Sequence, residues 1–309
     1  MTQLETPERC LQFLKSDSYI EFMRQSDDGA IGNTHMASVN WGDEAADSWV
    51  KIYKKDAPRS LINEMIGYVL ANALKLPQPK HAALMPMYLD KLDVKVAEQL
   101  SDIDIYRGYT YAWVTTHAGE NKRQLVTNNS PVLELFLEEL ANWTMLESMI
   151  AFDYWLVNND RHIGNLLQLP DTTFTLIDHG ETCGGREWNI DTFQKLYLSA
   201  RASHLDTLQR RYRKQDLFTP IEILSNLTHA KESHQKALET AEPELLHWLE
   251  AMIGDEYARL PIEGMPPLRM LDVLIQFLHD AAKNNQRFEQ TCAALLRIYD
   301  ENSSEQRPS

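Results

Sequence analysis

Hydrophobic and polar positions alternate with period two in Met36-Ala37-Ser38-Val39-Asn40, and again in Ser48-Trp49-Val50-Lys51-Ile52-Tyr53. Successive strand side chains point to opposite faces, so each run predicts a half-buried β-strand. The connection from Trp41 to Asp47 carries Gly and acids and reads as a loop. Ahead of this pair the pattern predicts a short helix, then a strand over Tyr19 to Arg24, then a turn rich in Gly, Asp and Asn from Ser26 to His35. Ser60 is placed to cap a helix beginning near Leu61, whose apolar stripe is Ile62, Ile66, Val69 and Ala73. Pro77 and Pro79 bar its continuation. Two more strands are predicted around Ala82 to Met87 and Tyr109 to Val114, separated by a polar, acid-rich stretch.

Beyond the irregular Thr115–Ser130 stretch the period changes to that of a helix. Ser130-Pro131 supplies an N-cap and a first-turn proline, and Leu133, Phe136, Leu137, Leu140, Trp143, Leu146, Met149 and Ile150 recur at helical spacing. After Gly185 the pattern predicts helices over roughly 190–213, 220–239, 243–258 and 267–299, and a polar tail from Asn302. Strands first and helices afterwards predict an α+β chain. The expected division is a small β-rich lobe over 1–116 and a larger helical lobe over 117–309, with a ligand cleft between them.

Composition narrows the functional classes. The 309 residues are 43% hydrophobic and 24% charged, ordinary for a globular protein. Thirty basic residues against 45 acidic ones give a formal charge of −15, which argues against a broad nucleic-acid or anionic-membrane surface. Cys10, Cys183 and Cys292 are scattered and form neither a disulfide framework nor a zinc motif. Met1 to Ser16 is charged and lacks the apolar core of a signal peptide, and no run of 18 apolar residues occurs. The expectation is a cytoplasmic protein.

The candidate chemistry lies in Asn158-Asn159-Asp160-Arg161-His162-Ile163-Gly164-Asn165 and in Leu176-Ile177-Asp178-His179-Gly180. An Asp followed five positions later by an Asn is the spacing of a phosphoryl-transfer loop, in which the Asp orients the attacking hydroxyl and the Asn binds Mg²⁺. Asp178 then follows a strand-like run and precedes Gly180, the place of a second metal-binding carboxylate. Leu166 to Ile177, between the two motifs, is the length of a short β-hairpin. Asp160 is therefore the candidate base, and Asn165 and Asp178 are the candidate Mg²⁺ ligands, hard oxygen donors that suit this ion beside nucleotide phosphates.

Lys51, on a strand, and Glu64, 13 residues later on a helix, fit the ion pair that holds the α- and β-phosphates of ATP. Lys54 is a rival, one residue out of phase with the face that carries Lys51. The turn from Gly29 through Gly32 to His35 either lays backbone N–H groups on the phosphates or is an ordinary hairpin turn. His162 and His179 lie near both acids; a transition-metal site is one reading, a structural histidine in the loop the other. Arg161 is free to meet a phosphate or a carboxylate, and Asp153, two helical turns upstream, is placed to hydrogen-bond the loop. No hydrolase elbow, Cys/His pair or dinucleotide-binding glycine pattern occurs.

Taken in order, Trp49-Val50-Lys51-Ile52, Asn63-Glu64, Leu74-Lys75-Leu76-Pro77-Gln78-Pro79, Phe152-Asp153-Tyr154-Trp155 with Asn159 to Leu167, and Leu176 to Gly180 resemble the HipA-like kinases. The Asp-Arg-His order of the loop also resembles the phosphatidylinositol 3-/4-kinases. The resemblance spans about residues 19 to 185. It implies a two-lobed protein-kinase-like fold, ATP and Mg²⁺ as cofactors, and phosphorylation of Ser/Thr hydroxyls on an intracellular protein. It also implies an adenine-contacting hinge near Ala112 to Thr115, with Trp113 and Thr115 in it, and admits an antitoxin-type partner. The chain departs from the family in its phosphate loop and in the helices after Asn189. Rival readings are a lipid or small-molecule kinase of the same fold, an adenylyl transferase, and a nucleotide-binding interaction module. The last is disfavoured by the complete set Lys51, Asp160, Asn165 and Asp178.

Overall fold

In the computed structural model the alternating runs pair as strands. Residues 9–26, 32–54, 59–88, 109–118, 131–170, 173–188, 220–254 and 267–283 are described, with single positions 57, 193, 204, 207, 288 and 290. Outside them fall Gly29 and most of its turn, the acid-rich stretch 89–108, the cap at Ser130, nearly all of the expected helix over 190–213, the basic run 210–214, Cys292 and the tail.

The strands are β1 (Leu11–Phe13), β2 (Tyr19–Gln25), β3 (Gly32–Asn40), β4 (Ala45–Tyr53), β5 (Ala82–Tyr88) and β6 (Tyr109–Thr116). They form one sheet in the order β1-β5-β6-β4-β3-β2, with β1 parallel to β5 and every other pair antiparallel. Helix α1 (Ser60–Ala73) crosses between β4 and β5 in sequence. The helices α2 (Pro131–Asn142) and α3 (Leu146–Trp155) follow, then the small hairpin β7 (Leu166–Gln168) and β8 (Phe174–Leu176), then α4 (Pro220–Gly254) and α5 (Pro267–Lys283). The chain is α+β, with its sheet in the N-terminal part and most helices after it.

The two faces of the sheet bury different cores, as period-two patterning requires. Val39, Val50, Ile52, Ala83, Met85, Ala112 and Val114 cluster on one face with Leu14. Leu11, Ala82, Leu84 and Trp113 join the larger core of α1, α3, α4 and α5. Lys51 and Tyr53 alternate with Val50 and Ile52, so they share the face that looks toward α1. Pro86 sits in β5 beyond the last residue paired with β1, where its missing N–H costs no ladder bond on that side.

Four elements differ from the sequence expectation. Instead of an N-terminal helix, Leu11–Phe13 adds a parallel edge strand; the backbone N–H groups of Cys10 and Leu11 donate to the Glu244 carboxylate of α4 at 3.2 and 2.9 Å. Glu244 thus covers part of a sheet edge that would otherwise be open. The expected loop from Trp41 to Asp47 shrinks to a tight turn, closed by Trp41 N–H to the Glu44 carbonyl at 2.9 Å, and β4 begins at Ala45. The long helix from Pro131 breaks at Trp143–Met145. Helix α2 buries only Phe136, Leu140 and Ala141, whereas α3 is buried on nearly every side, and one straight helix cannot lie both at the surface and through the core. Conversely, the two helices expected on either side of Pro243 are one helix, α4. An internal proline costs roughly 3 kcal/mol, and burial of Leu238, Ala241, Leu245, Trp248 and Leu249 around it offsets that loss.

Ser60 does not cap α1; it is the first helical residue, and Arg59 precedes it without a side-chain cap. The C-terminal end is firmer. Leu76 N–H bonds the Ala71 carbonyl and Lys75 N–H that of Asn72, both at 2.9 Å, with Lys75 at φ 58°. This is a Schellman stop, made one residue before Pro77.

His234 of α4 stacks on Trp155 of α3, ring centroids 4.5 Å apart and planes 16° from parallel, and neither ring nitrogen has a partner. Burial, with Lys231 nearby, pulls its pKa down to about 3. The unfolded chain binds this proton near pH 6.5 and the folded chain does not, so the stability His234 confers is intact above that pH and is lost as pH falls toward 3. The expected slope is about 1.4 kcal/mol per pH unit for this residue. Urea unfolding at pH 7 and pH 5 should show His234→Leu losing less stability on acidification than the natural chain.

Candidate functional site

The Asn158–Asn165 loop is positioned by the end of α3. The helix stops in a second Schellman turn, with Asn158 N–H on the Asp153 carbonyl at 2.8 Å and Val157 N–H on that of Tyr154 at 3.2 Å. The left-handed residue is Val157, φ 51°, a conformation that a β-branched side chain adopts only under constraint. The constraint is visible: Cys183 and Gly184 donate to the carbonyls of Leu156 and Val157 at 2.6 and 3.2 Å. The segment after Asp178 therefore locks the turn that launches the loop.

Within the loop every bond serves position. Asn158 Nδ2 donates to Asp153 Oδ1 at 2.9 Å, and Asn158 Oδ1 accepts from Asp160 N–H at 3.2 Å. The Asp160 carbonyl accepts from His162 N–H at 2.8 Å and from Asn165 Nδ2 at 2.9 Å. His162 Nδ1 accepts from Gly164 N–H at 3.0 Å, the structural role foreseen for it. The Asp160 carboxylate is left half-exposed, its side chain 49% accessible.

Arg161 turns inward. Its guanidinium grips Asp153 at 3.1 to 3.3 Å, reaches the carbonyls of Asn165 at 3.3 Å and Ile177 at 2.5 Å, and donates to His179 Nδ1 at 3.1 Å. The open choice between phosphate and carboxylate is settled for the carboxylate. Asp153 holds the side chains of Asn158 and Arg161. Because arginine can only donate, His179 Nδ1 is unprotonated and its proton sits on Nε2, which is buried without a partner. Burial, and then the charge of Arg161, hold His179 neutral well below the usual histidine range. Its ring is committed to Arg161, and among the described residues no group of three His, Cys, Asp or Glu side chains could hold a metal. A His162–His179 metal site is not formed.

Three predicted residues meet. Lys51 Nζ lies 2.8 Å from Glu64 Oε1 and 2.8 Å from Asp178 Oδ1. Tyr53 donates to the same Glu64 oxygen at 2.7 Å, and His179 N–H donates to Glu64 Oε2 at 2.8 Å. Glu64 is fully buried with its partners satisfied, whereas the Asp178 side chain is 39% accessible and open to a ligand. Asp178 itself sits at φ 59°, a left-handed conformation that Asp tolerates. Burial opposes charge on Lys51, but Asp178 and Glu64 outweigh it and raise its pKa. For Asp178 burial is likewise outweighed, by Lys51 and then Arg161, and its pKa is lowered. Burial and Glu64 push the Tyr53 hydroxyl well above its usual range, so it acts as a donor. Lys54 lies past the end of β4, and Lys51 makes the contacts.

Asn165, the other candidate metal ligand, is buried. Its amide nitrogen is spent on the Asp160 carbonyl, and its Oδ1 accepts no hydrogen bond among the described residues. Gly32 opens β3 opposite Tyr53, two residues past Lys51. Gly29 itself lies outside the described residues. His35, at the end of the proposed phosphate turn, is instead core, bonded to Tyr19 OH at 3.1 Å.

The expected hinge needs correction. Trp113 and Thr115 lie inside β6, Trp113 between Leu84 and Lys51, and Thr115 between Ala82 and Trp49. An interior strand spends its backbone polar groups on its two neighbours, so neither residue can offer them to adenine. The Trp113 ring is also committed, packing edge-on against Tyr68 at 5.8 Å. Sheet pairing ends at Thr116, and a hinge would have to follow it.

Asn63, present in the sequence motif without a role of its own, and Tyr53 also belong to the site. Both were legible in part: Asn63 adjoins Glu64 on the inward face of α1, and Tyr53 is in phase with Lys51.

No family model matches the chain, and no curated protein matches it. Among solved structures, the crystal structure of a Helicobacter pylori proinflammatory kinase CtkA matches with a TM-score of 0.42 and 15% identity, covering 94% of this chain and 99% of that one.

At Gly67, α1 passes close to His179. A Cβ there would fall 2.3 Å from His179 Cβ and 2.4 Å from its Cγ. Gly→Ala inside a helix ordinarily stabilises by about 0.5–1 kcal/mol. Gly67→Ala should reverse that sign, costing about 1–3 kcal/mol from overpacking, as measured by urea denaturation.

Proposed function

We propose that the chain is an ATP- and Mg²⁺-dependent phosphotransferase that acts, as the HipA-like kinases do, on Ser/Thr hydroxyls of a protein. The observation that carries this reading is Lys51 held at 2.8 Å between a buried carboxylate, Glu64, and an open one, Asp178. Such a lysine is a cation fixed in advance of its ligand, with no reorganisation needed when phosphate arrives. Glu64, itself anchored by Tyr53 and the His179 N–H, keeps Lys51 in place for the α- and β-phosphates.

The donor set fits Mg²⁺. Asp178 offers an accessible carboxylate and Asn165 an uncommitted amide oxygen, two hard ligands for an ion that takes its remaining positions from water and phosphate. When bound, the ion neutralises charge on the transferred phosphoryl group. Asp160, accessible and held by its backbone, would orient the acceptor hydroxyl and take its proton as the acceptor oxygen bonds to the γ-phosphorus and the bond from that phosphorus to the β–γ bridging oxygen breaks, releasing ADP. The turn containing Gly29 and Gly32 is assigned to the phosphates.

A protein acceptor is preferred to an anionic lipid because 30 basic residues face 45 acidic ones, and an enzyme on such a bilayer gains roughly 1 kcal/mol per basic residue near the surface. No helix among the described residues is long and apolar enough to cross a membrane. A cytoplasmic setting and an antitoxin-type partner belong to the same proposal, by resemblance.

Incubation with labelled ATP, Mg²⁺ and cell lysate, with Asp160→Ala as the blank, tests the assignment. Asp178→Asn should abolish most transfer, and Lys51→Met should reduce it by about 100-fold or more. Activity of Asp178→Asn within about twofold of the natural chain would remove the metal assignment, given how much a single preorganised electrostatic group contributes. Phosphoinositide vesicles offered beside a lysate protein fraction should remain unlabelled; Asp160-dependent labelling of lipid alone would make the enzyme a lipid kinase.

A further inference from the structure

Asn63 is fully buried on α1, one residue before Glu64, and every polar group it owns beyond the helix is engaged with the stretch that follows Asp178. Its Nδ2 donates to the carbonyls of Gly180 at 2.8 Å and Gly185 at 3.0 Å. Its Oδ1 accepts from Trp188 Nε1 at 2.8 Å, and its backbone carbonyl accepts from Thr182 Oγ1 at 3.2 Å. Arg59, one turn earlier, adds a bond from its N–H to the Arg186 carbonyl at 3.1 Å and lays its guanidinium over the Trp188 ring at 5.3 Å. Residues 183 to 185 all have positive φ (57°, 82° and 122°), a tight coil that local sequence alone does not hold.

We propose that Asn63 is a positioning residue for phosphoryl transfer, clasping the Gly180–Trp188 segment onto α1 so that Asp178 is fixed against Lys51. The inference rests on the phosphotransferase reading and adds to it a statement about control. In many kinases the corresponding segment is ordered by phosphorylation, through new pairs to arginine. Here the sole hydroxyl of Gly180–Trp188 is Thr182, which is fully buried and spent on Asn63. The clasp supplies that order with neutral hydrogen bonds, and this stretch needs no modification to assemble.

The geometry also explains why one residue reaches the metal side. Gly180 lies two residues from Asp178, and a Cβ on it would stand 3.4 Å from Asp178 Oδ1 and 3.3 Å from Tyr53 OH. Releasing the Gly180 carbonyl lets the carboxylate drift while Glu64 and Lys51 remain paired. The defect should therefore appear in turnover and metal demand rather than in nucleotide binding.

Asn63→Asp keeps the shape and sets a carboxylate against two carbonyl oxygens. Trp188→Phe keeps the ring beneath Arg59 and removes only the donor to Oδ1. Both are compared with the natural chain and with Asp178→Asn, by steady-state kinetics at varied ATP and Mg²⁺, corrected for the folded fraction. Trypsin cleavage after Arg186 is followed in parallel. Asn63→Asp should lower kcat by about 100-fold, the effect of a misplacement of about 1 Å. It should leave KM for ATP nearly unchanged, raise the Mg²⁺ concentration for half-maximal rate, and speed cleavage at Arg186. Trp188→Phe should move all of these in the same direction by less. An unchanged kcat and Mg²⁺ demand in Asn63→Asp, beside an inactive Asp178→Asn, overturns the inference alone. A loss in either variant that vanishes on correction for folded protein also overturns it, since Asn63 would then be merely structural. If the natural chain shows no Asp160-dependent transfer the phosphotransferase reading falls, and if Asp178→Asn is itself active the metal assignment falls; in either case the trypsin comparison still decides whether Asn63 clasps the segment.

Discussion

The guanidinium of Arg161 is the constraint on which the site depends. It bonds a carboxylate on α3, a carbonyl at the end of the Asn158–Asn165 loop, a carbonyl just past the β7–β8 hairpin and the ring of His179 two residues on. These groups lie in three stretches of the chain, and one planar donor array with fixed angles sets their spacing. Buried with Asp153, it is costly to leave unpaired; breaking such a pair by removing one partner typically loses about 3–5 kcal/mol. The net worth of the intact pair in stability is a separate matter, because desolvation offsets most of the Coulombic attraction. Its contribution is to geometry: with Arg161 in place, Asp160, Asn165 and Asp178 cannot move independently.

A second frame meets the first from the other side. Helix α1 presents Arg59, Asn63, Glu64 and Gly67 in a row toward the segment from Asp178 to Trp188. Each does a different job: Glu64 takes the His179 N–H, Asn63 the glycine carbonyls, Arg59 the Arg186 carbonyl, and Gly67 simply leaves room for the His179 ring. The sheet contributes only Lys51 and Tyr53, but their phase is fixed by the buried residues between them. Lys51 is thus where the two frames touch, one carboxylate from each. Rigid support behind, with the carboxylates of Asp160 and Asp178 accessible in front, is the distribution expected of a preorganised polar site.

Much of this was legible in the sequence. The period-two run through Val50 and Ile52 selected Lys51 over Lys54, because burial of the alternate residues dictates the face. The five-residue interval from Asp160 to Asn165 was legible only as a spacing of phosphoryl-transfer residues; that the Asn165 amide reaches back to the Asp160 carbonyl came from the fold. The hinge was misplaced because the strand run around Trp113 looks the same in sequence whether or not both neighbours are paired. Helix ends were misplaced where burial decided: α2 and α3 part without Gly or Pro between them, and α4 runs through Pro243.

Residue type and local period pick out the candidate residues Lys51, Asp160, Asn165 and Asp178 and fix the strand face that Lys51 takes. Their partners were set by contacts between elements far apart in the chain. Arg161 could equally have met a phosphate; that it meets Asp153 depends on the left-handed turn at Val157, and that turn is held by backbone donors from Cys183 and Gly184 more than 25 residues on. Asn63 is marked in sequence only by its place beside Glu64; the job of its side chain is not, because that side chain's three partners lie more than 110 residues away and are two backbone carbonyls and one indole. Hydrogen bonds to the main chain leave no trace in the identity of the residue that accepts them, so such contacts emerge only once the chain has folded.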